Sequence, residues 1–286
     1  MQVLLMPNLD KPNAVPAAKA VAEQLSALGV GALLDQRLRA VLPLPEARYV
    51  PFEEAAAGCD AILAIGGDGT ILHAARHAVA ADKPLLGVNV GRLGFMAGLE
   101  LSELGLLKKL VDGSYQTEER MLLDCLHDSR GKTKHTQALN DVVVSNGALS
   151  RMVDLDILCG GRELTSYRAD GVIFSTPTGS TAYTLSAGGP IIDPAVSCIC
   201  MTPICPHSLF SRTIMFSDRT VLCVRPSPIS NPVYVTVDGR QGEELCRDDT
   251  LEIRRSKQVL RLIILKDRSF YETLSQKFKL HDGREF

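Results

Sequence analysis

The chain has 286 residues, with 31 Lys or Arg against 33 Asp or Glu, a formal net charge of −2 at pH 7. That balance excludes a general electrostatic nucleic-acid binder, and the 45% hydrophobic, 22% charged composition is that of a globular chain, not a disordered one. No apolar run approaches the roughly 18–20 residues that span a bilayer, so neither a membrane nor a nucleic acid is expected as partner.

The first run, Val3-Leu4-Leu5-Met6, is halted by Pro7, Asn8 and Asp10. It has no basic region and no adequate apolar region for a secretory signal, and it reads as a strand. With no export signal, the eight scattered cysteines are read as reduced, mostly buried thiols of a cytoplasmic protein. Pro16 opens a helix with Val21, Ala22, Leu25 and Leu28 at helical spacing, closed by Gly29. Ala61–Ile65 reads as a buried strand, followed by Gly66-Gly67-Asp68-Gly69-Thr70 and a helix through Ile71, Leu72, Ala74, Ala75 and Val79. Leu85–Val88 is a further strand. Ser102 is placed to cap a helix through Leu106, Leu107 and Leu110 that stops at Gly113. Alternating strand and helix predict an open α/β domain with a mainly parallel sheet over 1–118.

Past Arg120 strands dominate: Met121–His127, Leu139–Ser145, Val153–Cys159, Val172–Ser175, Thr220–Val224, Val233–Val237, Leu251–Ile253 and Leu260–Ile264. Turn clusters such as Ser129-Arg130-Gly131 and Asp238-Gly239 separate them. This predicts a β-rich, sandwich-like domain over 119–264. Phe270, Leu274 and Phe278 at i, i+4, i+8 predict a C-terminal helix in 265–286 that returns to pack on the first domain, with a frayed tail after it.

Two segments carry chemistry. In Gly66-Gly67-Asp68-Gly69-Thr70, the glycines let the backbone approach a ligand and adopt positive φ, and the helix N-terminus behind them favours an anion. It is neither a P-loop nor a dinucleotide Gly-x-Gly-x-x-Gly pattern. A carboxylate at Asp68 would repel a phosphate unless a metal ion or a transferable proton accounted for it, and phosphoryl transfer supplies both. The alternative is that Asp68 only caps the helix. The second segment, Tyr167–Ile192, is dense in turn formers, and its stretch Ser175–Thr184 holds six Ser or Thr residues around Pro177 and Gly179. It offers hydroxyls and amides to a polar ligand, or else caps its own turns. Cys198, Cys200, Cys205 and His207 lie within ten residues, but they lack the paired short loops of a zinc site and are read as buried thiols near a turn.

The Gly-Gly-Asp-Gly-Thr turn, Asn89-Val90-Gly91-Arg92-Leu93-Gly94-Phe95, Leu139-Asn140-Asp141-Val142, Arg168–Ile192, Thr202–His207 and Val237-Asp238-Gly239 together resemble the bacterial NAD kinases in order and spacing. The resemblance implies transfer of the γ-phosphoryl group of ATP, with Mg²⁺, to the 2′-hydroxyl of the adenosine ribose of NAD. It implies ATP and NAD as partners, an NAD-binding and oligomerisation role for the β-rich domain, and a homodimer or homotetramer. On that resemblance Asp68 accepts the hydroxyl proton, Gly66, Gly67, Gly69 and Thr70 cradle phosphates, and His73 faces them where the family often has Arg or Lys. Asn140 suits an adenine edge and Asp141 ribose hydroxyls. Arg151, Arg168 and Asp170 match NAD contacts, some made from a neighbouring subunit. Thr178 and the run Thr181, Ala182, Tyr183, Thr184, Leu185 and Ser186 match the adenine and ribose loop, with Tyr183 packing by its face. Arg240 stands where many members have Gln, and Gln241 follows it, so the ligand contact lies open between a local shift and a true substitution. A lipid or sphingoid kinase sharing the glycine turn would need an apolar acceptor pocket, and a silent NAD(P)-binding regulator would not need Asp68.

Overall fold

The computed structural model describes all residues except 92–93, 147–150, 209–211, 241, 268 and 282–286, and at 279–281 the backbone alone. Arg92 and Leu93 of the expected Asn89–Phe95 motif, Gln241 and the tail read as frayed therefore lie outside the described residues. The chain forms two compact units, Met1–Glu119 with Leu260–Phe286, and Arg120–Val259.

The first unit holds β1 (Gln2–Pro7), α1 (Ala14–Ala27), β2 (Gly31–Asp35), β3 (Ala47–Val50), α2 (Phe52–Gly58), β4 (Ala61–Gly66), α3 (Asp68–Ala80), β5 (Leu85–Asn89), the two-residue β6 (Leu99–Glu100) and α4 (Leu107–Val111). Its strands run in the order β3-β2-β1-β4-β5, then residues 260–264, every pairing parallel. Helices cover such a sheet on both faces, which is why β4 is apolar throughout, β5 is apolar up to Asn89, and both are buried at every position. Ala17, Ala18, Val21, Ala22 and Leu25 of α1 join Val3, Leu5, Leu63, Ile65 and Leu86 in the core. Each fully buried Leu or Ile there contributes on the order of 1.5–3 kcal/mol. Gly29 ends α1 at φ 72 and Gly113 follows α4 at φ 70, the left-handed positions that favour glycine. The turn before α4 is capped by Glu100 and Glu103, not by Ser102: the Glu100 N–H donates to Glu103 Oε2 at 3.0 Å.

The second unit holds β7 (Gln116–Ser129), β8 (Lys132–Ala138), β9 (Asp141–Ser145), β10 (Val153–Cys159), β11 (Arg162–Ala169), β12 (Gly171–Ser175), α5 (Tyr183–Ser186), β13 (Cys198–Ile204), β14 (Ile214–Ser217), β15 (Leu222–Pro226), β16 (Val233–Val237), β17 (Glu243–Leu245) and the first part of β18 (Thr250–Ile264). One antiparallel sheet runs β11-β10-β15-β18, with β7 paired to β18 and β8; the other runs β14-β13-β12-β9-β16-β17. Val153, Leu155 and Ile157 from the first sheet share one core with Val142, Val144, Val172, Phe174 and Val235 from the second. The unit is a sandwich of two antiparallel sheets. Leu251–Ile253 and Leu260–Ile264, expected as separate strands, belong to one 15-residue strand.

The last helix, α6 (Phe270–His281), belongs to the first unit. The Phe270 ring lies 6.0 Å from that of Phe95, and Thr273 is buried. Phe278, expected on the inward stripe, is 44% exposed, because the buried face of α6 runs through Thr273, not through the i+8 position.

Candidate active site

The sheet order places β1 between β2 and β4, so helices leave in opposite directions at β1 and β4 and a crevice opens beyond their carboxyl ends. Gly66 ends β4, Gly67 is the N-cap of α3, and Asp68 is its first helical residue. Asp68 is thus not the cap. Its carboxylate instead accepts the backbone N–H of Phe95 on Oδ2 at 2.9 Å and that of Met96 on Oδ1 at 3.2 Å. Lys277 of α6 brings Nζ to 3.9 Å from Asp68 Oδ2 and to 4.2 Å from the centre of the Phe95 ring. The Asn89–Phe95 segment is tied to the glycine turn, since the Val90 N–H donates to the Gly66 carbonyl at 3.1 Å.

The positive φ expected of the glycines is not found. None of Gly66, Gly67 and Gly69 has positive φ. A Cβ on Gly66 would stand 2.1 Å from Thr70 Oγ1, whose oxygen accepts from Asn8 Nδ2 at 3.2 Å, so Gly66 is required by packing. A Cβ on Gly67 or Gly69 would meet nothing within 4 Å. Those two positions keep room that the protein itself does not fill. A further glycine is fixed by Asp68: a Cβ on Gly94 would lie 2.1 Å from Asp68 Oδ1.

On the other side of α3 a cavity of about 790 Å³ is lined by Asn8, Phe52, Gly69, Thr70, His73, Arg76 and His77, among others. His73 is brought together with Gly69 and Thr70 here. It stands five residues from Asp68, about 140° round the helix, and so turns away from that carboxylate. Burial, then the Arg76 charge, pushes His73 down from its usual range. Burial, Arg76 and His73 push His77 down to about 4. The cation expected at His73 is therefore weakened further at neutral pH.

In the β-rich unit, Asp141 opens β9 and Asn140 precedes it. Asn140 Oδ1 is buried without a hydrogen-bond partner. Asp141 is buried, and burial first, then the Asp238 charge, pushes its carboxyl up to about 7. Asp238, which sequence reading noted only within a motif, accepts the backbone N–H groups of Leu139, Asn140 and Asp141. Three amides gathered by one carboxylate from a residue nearly a hundred positions away leave no trace in spacing. Gly179 backs onto the same loop, where a Cβ would lie 2.1 Å from the Asn140 carbonyl oxygen.

The hydroxyl-rich segment forms a 3-10 turn at Thr178–Thr181 followed by α5. Many of its hydroxyls are engaged within the fold. Thr176 Oγ1 donates to the Leu139 carbonyl at 2.5 Å, Ser180 Oγ accepts the Ile192 N–H at 3.0 Å, and Thr181 Oγ1 donates to the Thr178 carbonyl at 3.3 Å. Thr178 Oγ1 accepts from the buried Arg120 guanidinium at 3.4 Å, a charged residue that sequence reading missed. Ser175 and Thr184 are buried with hydroxyls that have no partner. Ala182 and Leu185 are half-buried, and Tyr183 and Ser186 are exposed. Arg151 and Arg168 are exposed and Asp170 is half-buried. Arg240 is a scaffold residue here: Nε donates to the Val237 carbonyl and Nη2 to the Gln137 carbonyl, each at 3.0 Å.

Cys198 and Cys200 lie in β13, and both are buried, as expected. Burial, then Cys198, pushes the Cys200 thiol up to about 12. Cys205, by contrast, is exposed, so the expectation of buried thiols holds for only part of that cluster. Among the described residues no helix is long and apolar enough to cross a membrane.

Residues 3–115 match the family model for the ATP-NAD kinase N-terminal domain, and residues 139–265 that for the ATP-NAD kinase C-terminal domain. The chain is similar to an NAD kinase of Moorella thermoacetica, 40% identical over 98% of this chain and 90% of the relative. It is similar to an NAD kinase of Geotalea daltonii, 36% identical over 97% and 98%. Among solved structures it resembles a yeast NADH kinase complexed with NADH, at a TM-score of 0.88 and 25% identity, covering 100% of this chain and 89% of the other. It also resembles an NAD kinase from Archaeoglobus fulgidus in complex with ATP, at a TM-score of 0.74 and 25% identity, covering 98% and 99%.

Proposed function

This chain belongs to the ATP-NAD kinase family, and we propose that it transfers the γ-phosphoryl group of ATP to the 2′-hydroxyl of the adenosine ribose of NAD, giving NADP and ADP. The observation that carries the reading is the setting of Asp68. Its carboxylate is fixed by two backbone amides, at the first turn of a helix whose neighbouring glycines keep open room.

The reaction asks for positioning and charge stabilisation more than for covalent chemistry. In this reading Asp68 accepts the proton of the 2′-hydroxyl. Magnesium carried on the donor would offset charge on its phosphates. Of the first amides of α3, those of Thr70 and Ile71 donate to the Gly67 carbonyl at 2.9 and 3.1 Å, which leaves those of Asp68 and Gly69, beside the open space at Gly67 and Gly69, to bind phosphate oxygens. Thr70 and the uncharged His73 add hydrogen-bonding groups on the cavity side. In the β-rich unit, Asn140, Asp141 and the turn from Thr178 through Ser186 take the dinucleotide, with Asn140 Oδ1 and Thr184 Oγ1 as buried atoms still without a partner. Arg151, Arg168 and Asp170 complete NAD binding in a homo-oligomer built through this unit. The cytoplasm suits the free thiols.

The test is incubation of the protein with ATP, Mg²⁺ and NAD, with product NADP read by an NADP-specific dehydrogenase. Wild type forms NADP. Asp68→Asn keeps its fold and loses kcat by roughly 10²–10⁴-fold, the range for a general base. A fully active Asp68→Asn protein would end the assignment of the base.

A further inference from the structure

We propose that Asp238 is a positioning residue of the NAD site: its carboxylate gathers the amides of Leu139, Asn140 and Asp141 and so holds the Asn140 and Asp141 side chains ready for the dinucleotide. The inference rests on reading Asn140 and Asp141 as NAD-binding residues.

The backbone around this pair is fully accounted for. The Leu139 N–H donates to Asp238 Oδ2 at 2.9 Å, and the N–H groups of Asn140 and Asp141 donate to Oδ1 at 2.8 and 3.1 Å. In return the Asp238 N–H donates to the Asp141 carbonyl at 2.9 Å. The Leu139 carbonyl accepts from Thr176 Oγ1 at 2.5 Å and the Asn140 carbonyl from the Thr176 N–H at 2.9 Å. All six backbone polar groups of the three residues therefore have partners, as buried backbone requires. The side chains do not share that saturation. Asn140 Oδ1 is buried and unpartnered, a state that costs free energy until something binds. A rigid backbone presenting an unsatisfied side chain is the arrangement of a preorganised binding group.

Asp238 is costly to hold for its charge, not for its backbone: at φ 50 and 68, Asp238 and Gly239 form a turn closed by the Arg240 N–H on the Val237 carbonyl at 3.1 Å, a geometry that Asp-Gly favours. Its turn is anchored by Arg240, which spans the Val237 and Gln137 carbonyls. Desolvation pushes the Asp238 carboxyl up, against its three amide donors and the Arg240 charge. Asp238 in turn raises the neighbouring Asp141 carboxyl. The charges acting here are the two carboxylates and the Arg240 guanidinium. Asp238 therefore governs both the geometry of the pair and the pH at which Asp141 carries its charge.

Steady-state kinetics of the full chain, with NAD and ATP varied separately between about pH 5.5 and 9, test this on Asp238→Ala and Asp238→Asn. Loss of the clamp in Asp238→Ala should raise KM for NAD about 10- to 100-fold, as sub-ångström misplacement does, with KM for ATP within about threefold of wild type. Asp238→Asn keeps the volume and one acceptor oxygen for the Asn140 and Asp141 amides, loses the charge, and turns an NH2 group towards the Leu139 N–H. The acidic limb of its kcat/KM for NAD should move down by roughly 0.5–1 pH unit, which a purely structural residue would not produce. If Asp238→Ala fails to fold, the isosteric Asn variant alone decides the matter. Wild-type KM for NAD together with an unmoved acidic limb in Asp238→Asn overturns the proposal, and so do equal rises in both KM values. A wild-type protein that makes no NADP overturns the functional reading beneath it instead, and the two failures are told apart by the wild-type assay.

Discussion

Replacing Gly69 by alanine separates what the fold needs from what the ligand needs. Gly69 is the second residue of α3, has ordinary negative φ, and has nothing within 4 Å of an added Cβ. Alanine in a helix is favoured over glycine by up to about 1 kcal/mol. For a chain of this size that raises Tm by about 1–3 °C. The same methyl group would occupy the space assigned to donor phosphates. Losing one charge-assisted hydrogen bond there costs about 1.5–3 kcal/mol, or roughly a 10- to 100-fold loss in kcat/KM for ATP. Gly66→Ala should behave in the opposite way: its Cβ would lie 2.1 Å from Thr70 Oγ1, so overpacking should lower stability by about 1–3 kcal/mol. Thermal melts and the coupled NADP assay on both variants measure the pair. A stable Gly69→Ala protein with unchanged kcat/KM for ATP would refute the reasoning, because the open space would then be solvent and nothing more.

Gly94→Ala should drive a methyl group against the Asp68 carboxylate, 2.1 Å from Oδ1, and lower kcat by roughly 100-fold; near wild-type kcat would show that the amide-held position of Asp68 is not the working one. Asp141, pushed up to about 7 from 3.8, binds its proton more tightly folded than unfolded, so the native state loses stability as pH rises from about 4 to 7. Three pKa units correspond to about 4 kcal/mol at most, and Asp141→Asn should therefore be more stable than wild type near pH 8, with the gap closing towards pH 4 in urea titrations; a gap constant with pH would contradict this. Iodoacetamide at mildly alkaline pH should label the exposed Cys205 and Cys246 while Cys200, pushed up to about 12, stays unmodified until the chain unfolds; mass spectrometry showing early Cys200 labelling would argue against that burial.

How much was legible in the sequence depends on where the information sits. Val153–Cys159 and Val233–Val237 alternate buried and half-buried residues, and their bounds follow from the apolar pattern alone. Arg162–Ala169 is an edge strand whose outward side is polar, so no such pattern announces it. The apolar pattern of Thr250–Ile264 breaks in two because Arg254, Arg255, Lys257 and Gln258 fill its middle, yet the strand runs through them. Cys198–Ile204 is buried through most of its length, and there apolar continuity outweighed the metal-ligand spacing. Of the site, Asp68 and the Asn140–Asp141 pair are visible as residue types at recognisable positions. Their partners are not, because Phe95, Met96 and Asp238 act through backbone amides or on them, and an amide has the same sequence signature everywhere. The reason for each glycine was hidden likewise: clearance from Thr70 or Asp68 depends on neighbours in space, not on φ preference.

The two amides on Asp68 also answer how a carboxylate can stand at a phosphate-binding turn. A free carboxylate at the first position of α3 would compete with phosphate for the helix N-terminus, where the dipole favours either anion. Phe95 and Met96 draw both oxygens towards a separate segment, so the Asp68 and Gly69 amides of α3 remain for another ligand. Lys277 contributes less to this. At 3.9 Å, with the two side chains 30% and 32% exposed, such a pair is worth at most about 1 kcal/mol and weakens further with salt. Rigid backbone donors fix direction as well as charge, which a lysine on a flexible stem cannot do. Repulsion between Asp68 and the donor's phosphates is then left for the donor's own metal to offset. On this division of labour, substitution of Lys277 should alter salt dependence more than kcat, whereas moving the Phe95–Met96 amides should alter kcat at any salt concentration.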